Sequence, residues 1–414
     1  MKLPRYSVGV GDRFSHQGRA QLRAVMRAAH QGVEITPVWN KSHREHRIIG
    51  TNPSEVRREA DEAVHALGWE GPYFVDADHI GRDNVELFLE ASDYFTLDVA
   101  DFIGQAAHEE AIRSFVTQNT EWTGKLKLTG SDQNIDLTPE KLEEFAREYL
   151  LAVREAGRIY RLVEREKGPG NFVTEVSMDE TDRPQSPEEL MVILLAIADE
   201  GIPAQTIAPR FTGRFNKGVD YEGEVGRFGS DLNAHLAVIA LAVERLGLSE
   251  NLKLSIHSGS DKFSLYGPVR DALKKHDAGL HIKTAGTTWL EELIGLALAG
   301  DDGLRIAKDI YRRALDRKTE LCEPYSTVVD IDPAKLPSAE EVESWNGEQY
   351  ARALRHEESC PRYNPDLRQL LHVAYKIAAE MGEQYYAALR RHQQIIGQKV
   401  TDNLYERHLR PLFC

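Results

Sequence analysis

Short runs rich in β-branched and aromatic residues alternate with longer amphipathic stretches over the first 300 residues of this 414-residue chain. Such alternation is typical of repeated βα units around a parallel sheet. Eight runs are predicted to be strands: YSVGVG (6–11), EITPVWN (34–40), PYFVDAD (72–78), KLKLTG (125–130), NFVTEVSM (171–178), PAQTIAPR (203–210), LKLSIH (252–257) and LHIKTAG (280–286). Eight parallel strands can close on themselves, so the sequence predicts a TIM-like (β/α)8 barrel.

The segments between these strands carry the apolar periodicity of helices, and most end at a glycine suited to a helix C-cap. The stretch after the third strand is longer than one βα unit needs, so residues 86–124 and 139–168 are predicted to form a helical insertion. From residue 301 the pattern is almost wholly helical. We therefore expect a barrel domain over residues 1–300 and a helical C-terminal extension over residues 301–414, packed on the barrel.

Composition and charge restrict the partners. The formal net charge of −15 argues against nucleic acid or an anionic membrane surface, because either would need a basic face on the protein. The sequence has neither an apolar run of about 18 residues nor the apolar core of a signal peptide, and its three cysteines have no CxxC spacing. These features predict a cytoplasmic protein that acts on a small molecule, and a helical tail is also compatible with a homo-oligomer.

Side chains alternate along a strand, so the apolar residues of each run predict which positions face the barrel interior. The inward set is rich in polar and titratable groups: Asp76, Asp78, Lys125, Lys127, Glu175, Ser177, Asp179, Thr206, Arg210, Ser255, His257, His281 and Lys283, with His79 just beyond its strand. A purely structural barrel fills its interior with Val, Ile and Leu, because unpaired buried charges are costly. The set therefore predicts an active site at the carboxyl ends of the strands.

Several of these residues also allow a purely structural interpretation. His257 can be a core imidazole, and Asp78 can cap the following helix. Glu175 lies between Val173 and Val176 in an apolar strand and should be paired or bound to metal. The DADH run that ends at His79 offers carboxylates and an imidazole for a divalent ion.

Positive groups near the strand ends are candidates for holding an anionic substrate. Lys127 and Lys283 can bind a carboxylate, pair with Glu175, or form a Schiff base if burial lowers their pKa. The loop HSGSDKF adds Lys262. The segment AGTTWLEEL places Gly286, Thr287 and Thr288 at a helix start, where free N–H groups can bind an anion, although Thr288 can equally be a simple cap.

Six long strings resemble the tagaturonate epimerase family: VGVGDRF, FTLDVADFIG, TEVSMDE, HSGSDKF, HIKTAGTTWLEEL and KVTDNLYERHLRPLF. The resemblance extends over almost the whole chain. It implies a divalent-metal-dependent isomerase of hexuronate catabolism that interconverts tagaturonate and fructuronate. The expected route is proton abstraction and return beside the ketone through a metal-stabilised enediolate, with retro-aldol chemistry left open.

The residue roles are set out as hypotheses. His79, Glu175 and His257 are predicted metal ligands, with Mn, Fe, Co, Ni or Zn all compatible with the donor types. Asp78, Asp179 and Glu175 are the candidate acid/base groups. The substrate carboxylate is expected to contact groups from this set: Lys127, Arg210, Lys262, Lys283, Gly286, Thr287 and Thr288. Alternative functions are a metal-dependent or Schiff-base sugar-acid aldolase and a non-catalytic sugar-acid sensor.

Overall fold

The computed structural model describes residues 1–181, 183–284 and 286–414. These residues contain ten strands: β1 Tyr6–Gly11, β2 Thr36–Ser42, β3 Phe74–Ile80, β4 Tyr94–Asp98, β5 Gly124–Lys127, β6 Asn134–Leu137, β7 Val173–Met178, β8 Thr206–Pro209, β9 Lys253–Ile256 and β10 Leu280–Thr284. Eight of them form a closed, parallel barrel in the order β1-β10-β9-β8-β7-β4-β3-β2. The predicted barrel is confirmed. Ala285, which the prediction counted in the last strand, lies outside the described residues.

The first nine helices belong to the barrel region: α1 Gly18–His30, α2 His43–Ile49, α3 Pro53–Leu67, α4 Glu109–Gln118, α5 Pro139–Lys167, α6 Pro187–Asp199, α7 Val225–Leu246, α8 Phe263–His276 and α9 Thr287–Ala299. The glycines expected at helix ends have positive φ angles, among them Gly68 at 61° and Gly247 at 66°. A residue without a Cβ reverses the chain there without strain.

The fourth barrel strand was predicted in the wrong place. The structure uses Tyr94–Asp98, inside the stretch 86–124 that was predicted to be helical, whereas the run 125–130 contributes to a separate antiparallel hairpin of β5 and β6. A barrel strand is buried on both faces, and β4 is almost wholly buried, while Lys125 and Lys127 are exposed. Alternating Lys and Leu marks a half-exposed hairpin instead. The predicted insertion is therefore smaller and consists mainly of α4 and the hairpin.

After α9 the described chain is helical: α10 Asp301–Asp316, α11 Lys318–Cys322, α12 Ala339–Glu343, α13 Gly347–Leu354, α14 Pro365–Val373, α15 Tyr375–Met381, α16 Glu383–Arg391, α17 Gln393–Asp402 and α18 Arg410–Phe413, with a π-helical turn at Asn403–Leu409. Helices α10 to α17 share an apolar core with Trp289 and Leu293 of α9, whereas Leu409 of the π-helical turn and Leu412 of α18 pack into the barrel core. The boundary at residue 300 stays a prediction. In the described residues, no helix is both long and apolar enough to cross a bilayer.

Candidate metal centre and active-site crevice

Three side chains meet at the carboxyl ends of the barrel strands and form what we call the floor triad: His79, Asp179 and His257. His79 is the penultimate residue of β3, while Asp179 and His257 directly follow β7 and β9. One ligand atom from each lies within 4.8 Å of the others. His79 has a φ of 53°, a left-handed conformation that is uncommon for a residue with a Cβ and often occurs at functional sites. Separate strands thus bring two imidazoles and one carboxylate to a single point.

Each imidazole of the floor triad is held by a second carboxylate. Asp98 Oδ2 lies 3.0 Å from His79 Nδ1, and Glu175 Oε1 lies 2.8 Å from His257 Nε2. A carboxylate only accepts, so each contact places a proton on the contacted nitrogen and turns the other nitrogen towards the triad, where a metal would displace any proton that it carries. Asp98 and Glu175 therefore fix which nitrogen of each ring faces its neighbours in the triad.

The other ring nitrogen of His257, Nδ1, is buried and makes no hydrogen bond among the described residues. Its Nδ1 lies 3.1 Å from Asp179 Oδ1, which already accepts from the Ser177 hydroxyl. A buried polar atom of this kind calls for a ligand or an ion. Two imidazoles with one carboxylate, each imidazole held from behind, fit a divalent transition metal.

The mutual proximity of these groups shifts their pKa values. Burial alone disfavours the charged imidazolium, but the Asp179 and Glu175 carboxylates outweigh burial and raise the pKa of His257 to about 9. The pKa of His79 is raised in the same way, against burial, by Asp78, Asp98 and Asp179. The pKa of Asp179 is lowered despite burial because both imidazoles face it. The floor triad is thus an electrostatically coupled unit that attracts positive charge.

Below the floor triad lies a buried charge cluster made of Lys283, Asp76, Asp78 and Glu175. Lys283 Nζ contacts Asp76 Oδ2 at 2.8 Å, Asp78 Oδ1 at 2.7 Å and Glu175 Oε1 at 3.1 Å. The cluster is completed by hydroxyl groups, since Tyr94 donates to Glu175 at 2.8 Å and Thr96 donates to Asp76. Burial, together with the neighbouring carboxylates, raises the pKa of Asp76 to about 7. The Lys283 ammonium instead lowers the pKa of Asp78 to about 2, against the effect of burial.

Above the floor triad a crevice opens at the C-terminal face of the barrel. It has two lobes, of about 540 and 660 Å³, which share Asp179 and His257 in the floor. Ligand sites in proteins span about 300–1,000 Å³, so each lobe has room for a six-carbon sugar acid. Both lobes are also lined by Arg44, Lys217 and, from the C-terminal helical region, Tyr325.

Known proteins share this arrangement of barrel and helical region. The sequence model of the tagaturonate epimerase family matches residues 1–412. The chain belongs to that family. The tagaturonate/fructuronate epimerase of Thermotoga maritima is 27% identical over 424 aligned positions, which cover 98% of this chain and 80% of that protein.

Solved structures of the fructuronate-tagaturonate epimerase of Cohnella laeviribosi match the fold. A form with two glycerol molecules superposes with a TM-score of 0.82 and a native form with 0.78, at 23% and 22% identity. Both matches cover the whole of this chain and 82% of the other. The family recognised from the six sequence strings is thus confirmed, and so is the barrel.

Only some of the predicted site residues line the crevice. His79, Asp78, Asp179, His257 and Lys283 line the crevice or its floor, and Arg210 lines one lobe with Nη1 3.3 Å from the Asp179 carbonyl. Glu175, a predicted metal ligand, has no exposed surface and lies beneath His257. Asp179 takes its place in the floor triad.

Four predicted substrate contacts lie outside the lining of the crevice. Lys262 is buried, and its ammonium donates to the carbonyls of Asn216, Val219 and Ser260. Gly286 begins α9 with a φ of 82°, and a Cβ on it would lie 2.0 Å from His372 Nε2. Thr288 accepts from the Gln21 amide, and Thr287 is buried beside it at the helix start. These four residues do not line the two lobes of the crevice.

Lys127 was placed in the barrel interior by the sequence, and that placement is wrong. It pairs with Asn134 in the β5–β6 hairpin, outside the barrel, and its side chain is exposed. The error follows from the misplaced fourth strand, because inward and outward positions were assigned on the wrong segment.

Sequence reasoning missed Asp98, Glu180, Arg44, Lys217 and Tyr325, all of which line the crevice. A signal was present for two of them. Asp98 ends the true fourth strand with the same parity as Tyr94 and Thr96, and Glu180 follows Asp179 directly. Arg44 lies in the short helix α2, Lys217 in a loop and Tyr325 in a 3-10 turn of the C-terminal helical region. None of these segments is long enough for its periodicity to predict which way a side chain points.

Proposed function

We propose that this chain epimerises tagaturonate to fructuronate and back, at a divalent cation held by the floor triad. The observation that carries the proposal is the convergence of His79, Asp179 and His257 at the floor of a cation-lined crevice in a member of this family. The location of active sites at the carboxyl ends of barrel strands supports it. The cytoplasm as the site of the reaction and a homo-oligomeric state stay predictions.

The reaction route expected from the sequence needs a chemical correction. Counted from the hydroxymethyl end, the two sugars carry the ketone at C2 and differ in configuration at C4. Removal of the proton beside the ketone would invert C3 and leave C4 unchanged. The C4 hydroxyl is β to the ketone, which is the arrangement that retro-aldol cleavage requires.

In that route the proton leaves the C4 hydroxyl, the C3–C4 bond breaks, and its electron pair moves through C3 to the ketone. The three-carbon aldehyde then turns, and re-addition of C3 to its other face returns the C4 epimer with the proton restored. The sum is an isomerisation, without any net oxidation or loss of carbon. The hydrogen on C4 stays in place throughout.

A divalent cation bound by the floor triad would supply Lewis-acid chemistry to the ketone and hydroxyl oxygens. Around it the chain has three tasks. Asp98 and Glu175 hold the two imidazoles in the required orientation. The crevice walls must fix both fragments against escape into water.

The third task is proton transfer at the C4 hydroxyl. Glu180 lines both lobes, and no ion-pair partner for it is present among the described residues. Asp78 also lines the crevice, but its contact with Lys283 lowers its pKa to about 2 and makes it a weak base. Glu180 is therefore our candidate for the group that accepts and returns the proton.

Proton NMR of the protein with tagaturonate in D2O tests the proposal. Samples are loaded with Mn, Fe, Co, Ni or Zn, and a matched sample is exhaustively chelated. Metal-dependent formation of fructuronate that keeps its hydrogen at C4 supports both the function and the retro-aldol route. Deuterium at C4 indicates direct proton removal from that carbon, and accumulation of three-carbon fragments indicates an aldolase. Absence of inversion with all five metals overturns the function.

A further inference from the structure

The cations that line the crevice differ in whether a carboxylate already neutralises them. Arg13 is 3.0 Å from Glu45, Arg214 is 3.0 Å from Asp330, and Lys376 is 2.6 Å from Glu320. Four others, Arg44, Arg47, Arg210 and Lys217, have no carboxylate within ion-pair distance in the described parts of the chain, and of these only Lys217 and Arg44 line both lobes. In a protein of net charge −15, two unpaired cations that face both lobes of one crevice require a reason.

Lys217 and Arg44 are placed around one aromatic ring. The Lys217 ammonium and the Arg44 guanidinium carbon each lie 5.7 Å from the ring centre of Tyr325. All three side chains line both lobes of the crevice, which also share Asp179 and His257 of the floor triad. A single ligand can therefore contact the triad and these cations together.

The loop that carries Lys217 is held rigidly. Lys262 donates to the carbonyls of Asn216 and Val219, at 2.9 and 2.7 Å, and Arg368 Nε donates to the carbonyl of Gly218 at 2.6 Å. The Lys217 amide itself donates to Val328, at 2.8 Å, in the segment that contains Tyr325. Binding groups fixed before the ligand arrives lose little entropy on binding, so the loop is suited to recognition.

Desolvation leaves Lys217 ready for an anion. Its side chain is half-buried, and burial together with the nearby Arg13 lowers its pKa, which the more distant carboxylates of Glu180 and Glu45 only partly offset. A ligand carboxylate at this position would supply the missing negative charge. Charge-assisted hydrogen bonds of this type are about twice as strong as neutral ones.

We infer that Lys217 and Arg44, both next to Tyr325, bind the carboxylate of the sugar acid and select uronates over neutral ketohexoses. This inference rests on the proposed function and deepens it by assigning the specificity to a pair of cations that the sequence did not reveal. Lys262, predicted from the sequence to touch substrate, acts here as a positioning residue for the Lys217 loop.

The test compares two sugars in wild type, Lys217→Met, Lys217→Arg and Arg44→Met. One sugar is tagaturonate, and the other is the neutral ketohexose with a hydroxymethyl group in place of the carboxylate. For tagaturonate we expect Lys217→Met to raise KM on the order of 10- to 100-fold with a smaller change in kcat. Lys217→Arg should keep most of the affinity for tagaturonate. For the neutral sugar, calorimetry should show that the variants change the dissociation constant less than about threefold.

Lys376→Met is the matched control, because Lys376 lines the same crevice but is already paired with Glu320. Its KM for tagaturonate should stay near that of wild type. Three results would each overturn the inference. The first is an equal loss of affinity for both sugars, the second is an equal loss of tagaturonate affinity in Lys217→Met and Lys217→Arg, and the third is an unchanged KM for tagaturonate in Lys217→Met. A wild-type protein that inverts neither sugar would instead contradict the proposed function, so the two failures are distinguishable.

Discussion

The barrel holds two groups of charged side chains, one above the other, that differ in how completely they are satisfied. In the buried charge cluster, every carboxylate meets the Lys283 ammonium, and hydroxyl groups complete the contacts. In the floor triad, Nδ1 of His257 makes no hydrogen bond in the described chain, and the three ligand atoms converge below an open crevice. Charge inside a barrel does not by itself identify the reacting groups. The reacting groups are identified by polar atoms that lack a hydrogen-bond partner and face a cavity.

The largest expected effect separates the two groups by activity. Replacement of a floor-triad ligand in His257→Gln or Asp179→Asn should reduce kcat/KM on the order of 1,000-fold, the scale for losing a group that stabilises developing charge. Metal content after dialysis should fall in parallel. His276→Gln, which removes an imidazole from the surface of α8, should alter neither quantity. If metal content stays at the wild-type level in both variants, the floor triad does not hold the metal.

A substitution in the buried charge cluster should reduce stability more than one in the floor triad. Lys283→Met leaves three carboxylates buried without their cation and should lower the free energy of unfolding by about 3–5 kcal/mol. Urea denaturation at pH 7 measures this loss. His257→Gln should cost less stability, because Lys283 still contacts all three carboxylates of the cluster in that variant. Equal losses of unfolding free energy in Lys283→Met and His257→Gln would show that the cluster is no more important for stability than the triad.

The carboxylates behind the imidazoles should have an intermediate effect. Asp98→Asn keeps the shape of the side chain but changes the partner of His79 Nδ1, so metal affinity should fall about 10- to 100-fold. The measurement is competition for metal against a chelator of known affinity. Asp101→Asn, three residues further on and exposed, is the matched control. A wild-type affinity in Asp98→Asn would show that His79 needs no support from Asp98.

The smallest effect concerns the opposite end of the barrel, where Lys253 donates to the carbonyls of Leu3 and Pro4. Burial lowers its pKa from 10.5 to about 7. Between these values the unfolded chain binds more protons than the folded one, so stability should rise with pH, by at most about 1.4 kcal/mol per pH unit. From pH 7 to 9 the free energy of unfolding should therefore rise less steeply with pH in Lys253→Met than in wild type. Parallel curves for the two proteins would contradict the shift.

Most of the barrel could be predicted because each βα unit leaves a local pattern. Parity within β3, β7, β9 and β10 correctly placed Asp76, Glu175, His257 and Lys283 inside, since alternation along a strand is a property of the backbone. Parity failed at Lys127 because the wrong segment had been taken as the strand. A run of alternating Lys and Leu satisfies the period of a strand without the burial that a barrel demands.

The sequence by itself determined the barrel, the helical region and the set of polar residues at the strand ends, because these depend on local periodicity and on strings specific to the family. Only the tertiary structure decided which of those residues meet. It placed Asp179 rather than Glu175 between the two imidazoles, paired Lys283 with three acids, and brought Tyr325 from the C-terminal helical region beside Lys217. Contacts between segments more than 100 residues apart depend on barrel closure and on helix packing, which no local pattern encodes.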